Sequence, residues 1–199
     1  MGRRSIRRVR STDPARRLEL ARSMTPVFMA HGTRSVTMDA IARGAGVSKA
    51  TLYNHFESLE EMVAHVVGLK VETIMGFQTI LNDADRSFAD RYAEAFELLA
   101  SQIAGVSSTF LDDVRSDFPD VFARIDALID LAGRELRAFY ARGMEAGVFR
   151  ALHPDLLART DLSFFRTLTD PRELRDLDLS IEEACRAFYD IRCGGLYAR

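Results

Sequence analysis

The sequence predicts an all-α protein: an N-terminal three-helix helix-turn-helix domain followed by a larger helical body, about nine helices in all. Three observations carry that expectation. Apolar residues recur with a period near 3.6 in segment after segment, while alternating apolar and polar runs are scarce. Five prolines and twelve glycines leave few interruptions. Of 199 residues, 47% are hydrophobic and 28% charged, an ordinary balance for a chain that buries a core.

The same arithmetic excludes several classes. Uncharged runs stay well short of the roughly 18 residues a membrane span needs, so no membrane partner is expected. No apolar segment follows the basic N-terminus, and no secretory leader is expected. Cys185 and Cys193 stand eight apart with no paired ligands beside them, which argues against a zinc site or a disulfide framework. No metal and no cofactor are expected, and a reducing cytoplasm fits.

Charge is unevenly placed. Residues 1–55 hold eleven basic and three acidic side chains, or +8; the remainder holds sixteen and twenty-six, or -10, giving the net -2. A basic head on an acidic body suggests that the head alone meets a polyanion. Residues 1–10, with Arg3, Arg4, Arg7, Arg8 and Arg10, have almost nothing to bury. They read either as a solvated terminus or as an arm that neutralises phosphates or enters a minor groove.

Taken in order, the first helix spans about 14–30. Pro14 suits its first turn, and Leu20, Ala21, Met24, Val27 and Phe28 form its apolar stripe. Gly32 follows as a left-handed cap, and Pro26 should kink the helix. Thr37 caps a second helix, with Asp39 in its first turn complementing the dipole. Ile41, Ala42 and Ala45 face inward, Gly46 ends the helix and Val47 plugs the turn. Ser48 caps a third helix to about His55, anchored by Leu52 and Phe56. Ser58 and Glu61 read as a capping box opening a fourth helix of about 24 residues, roughly 36 Å long. Further amphipathic helices are predicted near 87–104, 107–117, 119–146, 154–169 and 180–196, with Gly147 stopping the third of these.

The second and third helices, joined by Ala45-Gly46-Val47, make a helix-turn-helix. That motif needs a small residue where the helices touch (Ala42), a glycine at the turn, an apolar plug, and a capped second helix with a free outer face. Lys49, Ala50, Thr51, Tyr53, Asn54 and His55 supply that face. Each also has a plainer reading. Tyr53 is then a partly buried aromatic, His55 a packing residue, Lys49 a solvated lysine, and Thr37 and Ser48 caps and nothing more.

The run VTMDAIARGAGVSKATLYNHFESLEEM, Val36 to Met62, resembles the DNA-binding domain of the tetracycline-repressor (TetR) family. With Leu20 to Gly32 the resemblance covers about fifty residues. EAGVFRALHPDL, Glu145 to Leu156, is similar to the family's link between its seventh and eighth helices. The resemblance implies phosphate contact by Thr37. It implies backbone or base-edge contacts by Ser48, Lys49, Thr51, Tyr53 and His55, and operator choice by Ala50 and Asn54. Leu59 stands where the family commonly has Lys, which puts that phosphate contact in doubt.

It also implies a division into 1–57, the arm and DNA-binding domain, and 58–199, a ligand-binding and dimerisation domain entered through the fourth helix. Phe77, Tyr92, Phe96, Phe110, Phe122, Phe139 and Tyr140 are then candidates for lining a cavity, with core packing as the alternative for each. Leu157, Phe164, Phe165, Leu168, Phe188 and Tyr189 are candidates for a homodimer interface, with an intrachain core as the alternative. Cys185 reads as a small packing residue.

Catalytic signatures are missing: His31, His55, His65 and His153 are scattered, and no HExxH, GxSxG or glycine-rich phosphate loop occurs. The implied function is a homodimeric transcriptional regulator, expected to repress. It would bind a palindromic double-stranded DNA operator and be released by a small lipophilic or amphipathic effector held between the fourth and eighth helices. The other class carried forward is a helical enzyme or small-molecule-binding protein on the same fold without a specific operator.

Overall fold

The computed structural model describes residues 13–168 and 178–196. Ten α-helices occur among them: α1 (Pro14–His31), α2 (Met38–Gly44), α3 (Lys49–His55), α4 (Leu59–Met75), α5 (Phe77–Asn82), α6 (Phe88–Ile103), α7 (Ser108–Asp117), α8 (Pro119–Glu145), α9 (Pro154–Thr167) and α10 (Ile181–Leu196). The all-α expectation holds. The arginine arm (Arg3, Arg4, Arg7, Arg8, Arg10) lies outside the described residues.

Local chemistry sets most helix starts. The side chains of Asp13, Thr37, Ser48, Ser58, Ser87 and Ser107 each accept an N–H from the first turn they precede. The capping box at α4 is displaced by one residue. Glu61 N–H donates to Ser58 Oγ at 3.1 Å, but the Glu61 carboxylate takes the N–H of Glu57 rather than of Ser58. Gly32 has φ 76° with ψ -169°, so it is a positive-φ stop and not the left-handed helical cap expected. The α1 helix runs unbroken through Pro26. Pro26 and Arg22, whose carbonyl it frees, are both exposed, so water can serve that carbonyl.

The predicted 24-residue fourth helix is instead two. It breaks at Gly76, and α5 then packs between α6 and α8. Polar bonds fix the new direction: Arg142 donates to Leu81 O at 3.3 Å and Asn82 Oδ1 at 2.9 Å, and Gln78 and Asn82 both donate to Glu135.

Two hydrophobic clusters result. One joins Leu20, Met24, Phe28, Ile41, Leu52, Phe56, Met62 and Val66 to Phe110, Val114, Val121 and Phe122, and so ties the first four helices to α7 and the start of α8. The other gathers Phe77, Leu81, Tyr92, Phe96, Leu136, Phe139, Tyr140, Phe149 and Phe165 from α5 to α9. Leu59, partly buried, packs on the first cluster.

A buried polar knot pins α10 to the body. Arg192 Nε donates to Asp161 Oδ1 at 2.7 Å, Arg192 Nη2 donates to Leu157 O at 3.0 Å, and the Tyr140 hydroxyl donates to Asp161 Oδ2. Asp161 is 1% exposed, and burial pushes its carboxyl upward from the ordinary carboxylate range, against the pull of Arg192.

Candidate functional site

The outer face of α3 stands on a rigid base. Leu52 and Phe56 are fully buried, and Arg17 of α1 donates to His55 O at 2.8 Å and pairs with Glu61. Gly46, at φ 66°, turns the chain between α2 and α3, and the Val47 N–H donates to Ala42 O at 3.0 Å. Thr37 and Ser48 cap their helices, through Ala40 N–H at 3.2 Å and Thr51 N–H at 3.1 Å.

Above this base Thr37, Ser48, Lys49, Ala50 and Tyr53 are exposed, Tyr53 to 49%. Thr51, Asn54 and His55 are half-buried. Lys49 Nζ lies 3.0 Å from Asp39, a surface pair that a phosphate can compete for. His55 departs from the rest: its Nδ1 is buried with no hydrogen-bond partner, so one side of the ring belongs to the interior.

A second site lies in the body. A cavity of about 450 Å³, within the size range of small-molecule sites, opens between α4, α6, α7 and α8, with α9 at one end and Met29 of α1 at its wall. Val67, Val71, Ile74, Leu99, Ile103, Leu162 and Phe165 give it an apolar lining. Of the seven aromatics predicted to line it, Phe110 and Phe122 do. The other five, Phe77, Tyr92, Phe96, Phe139 and Tyr140, do not: they are buried in the second cluster at 0–7% exposure. Stacked and tilted ring pairs fill their space, Tyr92 on Phe139 and Phe96 on Phe165 among them.

The polar residues of the cavity carried no sequence signal beyond their rarity. Lys70, one of two lysines in the chain, is half-buried and donates to Gln102 O at 2.9 Å and Gln102 Oε1 at 3.3 Å. Burial lowers its pKa. Asp112, Arg115, Asp126 and Arg166, all exposed, also line the cavity; Arg115 lies over the Phe122 ring at 4.6 Å.

A clasp that the sequence did not reveal links body and head. Asp113 of α7, 5% exposed, accepts the N–H groups of Thr33 at 2.8 Å and Arg34 at 3.0 Å, in the turn between α1 and α2. The Arg34 guanidinium then donates twice to Asp117, at 2.7 and 2.6 Å, and its own pKa rises through that bond. Ser107 N–H donates to Met29 O at 3.1 Å.

The expected dimer residues divide. Leu157, Phe165 and Leu168 are 7, 6 and 3% exposed and pack inside the chain's own core, leaving little of them for a partner. Phe164 and Phe188 stack on each other at 3.9 Å within the chain, and Tyr189 stacks on Tyr92 at 5.8 Å. The large apolar side chains that α9 and α10 leave exposed are Leu156 at 64% and Ile191 at 73%.

Comparison with known proteins agrees with this arrangement. Residues 25–66 match the pattern of bacterial regulatory proteins, tetR family. The chain is 31% identical over 147 residues to the HTH-type transcriptional activator FasR of Mycolicibacterium smegmatis, covering 67% of each protein. It is 26% identical over 166 residues to the HTH-type transcriptional repressor KstR2 of the same species, covering 80% of this chain and 78% of that one. Among solved structures, the TetR-family transcriptional regulator PfmR of Thermus thermophilus superposes with a TM-score of 0.69 at 28% identity. That match covers 92% of this chain and 100% of the other.

Proposed function

The chain belongs to the tetR family of bacterial regulatory proteins, and from that premise we propose that it is a homodimeric, effector-responsive operator-binding protein that represses the genes it covers. The observation that carries the proposal is the outer face of α3. Lys49, Ala50, Tyr53 and Asn54 rise from a fully anchored helix that a major groove can accept. Thr37 and Ser48 touch phosphate at the helix starts. Lys49 exchanges Asp39 for phosphate, and Asn54 and Ala50 read base edges. His55 contributes through its outer edge alone. The arm arginines add phosphate contacts.

Two such heads, about one helical turn apart, read a palindrome. We assign the pairing surface to the outer faces of α9 and α10, through Leu156 and Ile191, because their inner faces are consumed within the chain. The cavity holds the effector. Its occupant touches α4 and α7, which both reach the head, and favours the arrangement of heads that fits DNA less well.

Duplex binding against genomic fragments tests the proposal. Specific binding that falls steeply with salt, by a protein that sediments as a dimer, is the expected result. A monomer, or a chain that retains no fragment above background, refutes it. A reporter placed behind the retained fragment decides the sign: repression is expected, and activation overturns that part.

A further inference from the structure

Lys70 is the feature of the cavity that its apolar lining does not account for. Lys70 is half-buried on α4 and lines the cavity together with Val67, Val71 and Ile74. Both acceptors it reaches belong to neutral Gln102, at the end of α6. Among the described residues no carboxylate lies within ion-pair distance of Nζ. An ammonium has three N–H donors, so one remains for another partner. Of the acidic lining residues, Asp112 sits 3.5 Å from Arg115 and is largely solvated. Ser108, the first residue of α7, also lines the cavity, so the positive end of that helix dipole lies beside it.

A partly desolvated cation facing only neutral oxygen is under-compensated, and burial already lowers its hold on its proton. A ligand carboxylate would supply the missing charge through a charge-assisted bond. The cavity, about 450 Å³, lies at the lower end of the range of small-molecule sites, which suits a ligand on the order of a dozen non-hydrogen atoms. We infer that it takes an apolar monocarboxylic acid of that size, its carboxylate on Lys70 Nζ and its hydrocarbon body against Leu99, Ala132, Leu162 and Phe165. The inference rests on the reading of this cavity as the effector site. The acid joins Gln102 on the Lys70 ammonium, so its head group bears on α4 beside the end of α6.

Isothermal titration of the full chain with decanoate and with decan-1-ol tests it, in the wild type and in Lys70→Met and Lys70→Arg. The wild type should bind decanoate at least tenfold more tightly than decanol. Lys70→Met should erase that preference by weakening decanoate far more than decanol, and Lys70→Arg should keep part of it. Equal affinities in the wild type, a preference that survives Lys70→Met, or failure of both probes to bind overturns the inference; the wild-type comparison decides even if a variant fails to fold. Operator affinity is measured alongside. Lys70-dependent decanoate binding with no effect on DNA upholds the ligand class and refutes the effector reading. Release of DNA by decanoate that Lys70→Met leaves intact does the reverse.

Discussion

Truncating Asp113 isolates the clasp between α7 and the head. The carboxylate is 5% exposed and serves two backbone N–H groups, those of Thr33 and Arg34. In Asp113→Ala the Thr33 N–H stays buried, since Thr33 is only 4% exposed, and it has lost its acceptor. An unsatisfied buried donor costs about 1–3 kcal/mol, and a bond to a charged acceptor contributes about 1.5–3 kcal/mol. The N–H of the more exposed Arg34 regains water, so its loss is partly offset. These figures describe one loss, whose upper end is about 3 kcal/mol. For a chain of this size each kcal/mol moves Tm by about 2–4 °C, which at that upper end predicts a fall of about 6–12 °C by differential scanning calorimetry. Asp113→Asn, which keeps one acceptor oxygen, should fall about half as far. The control is Asp117→Ala, which removes the exposed partner of the same arginine and should shift Tm far less. If the Asp113→Ala shift is no larger than the Asp117→Ala shift, the clasp does not hold the head.

Tyr53→Ala should weaken binding to all duplexes by about 1–3 kcal/mol, whereas Asn54→Ala should change which operator base is preferred; fluorescence anisotropy on a panel of single-base variants separates the two, and identical profiles would undo the assignment. Gly46→Ala finds open space but keeps a φ of 66°, so strain alone, about 1–2 kcal/mol, should lower stability, and an unchanged urea midpoint would contradict it. Gly143→Ala would place a Cβ 2.1 Å from the Phe149 ring; the forced shift should cost about 1–3 kcal/mol, read as a lower urea midpoint. Arg192→Met strands Asp161 in the polar knot at about 3–5 kcal/mol near neutral pH. With the cation gone, burial is opposed only by the bonds of the Tyr140 and Tyr92 hydroxyls, and the folded pKa of Asp161 stands further above its unfolded value of about 3.9. The stability is then present below that unfolded value and lost as pH rises through the folded one. The variant's deficit in urea melts should therefore be smaller at pH 4.5 than at pH 8, and equal deficits would refute the account.

What could be read from sequence was what short stretches of chain decide. Thr37, Ser48 and Ser58 cap helices because a side-chain oxygen reaches an N–H three residues on. The stripe of α1 is likewise visible at one-turn spacing. Gly76 was not legible as a break, since a glycine inside an apolar stripe also suits a continuous helix; bonds from Arg142 and Glu135, some sixty residues away, decide it. The aromatics fail for a related reason. Period alone turns Tyr92, Phe96 and Phe139 inward but cannot distinguish a ring that meets other rings from one that meets a void. Leu157 and Phe165 were misplaced for the same cause, because α9 buries one face in its own chain before any partner is available. Lys70 and Asp113 carry no local signature, as each is defined by residues more than thirty positions away.

The cavity's place between the two hydrophobic clusters bears most directly on mechanism. Met29, Val67, Phe110 and Phe122 on its wall belong to the cluster that includes α1–α3, while Leu99, Ala132 and Phe165 belong to the other. A molecule that fills it is therefore packed between the part of the core that supports the reading helix and the part that supports α9 and α10. Close-packed interiors transmit such displacements because they do not deform smoothly. The α7 helix is the shortest route. Phe110 and Leu111 line the cavity, and Asp113, within a turn of them, holds the Thr33–Arg34 backbone. A shift of α7 by an occupant must either carry the α1–α2 turn with it or break two bonds to a buried carboxylate. If moving the turn is the smaller cost, the head follows the cavity, as the proposed effector response requires.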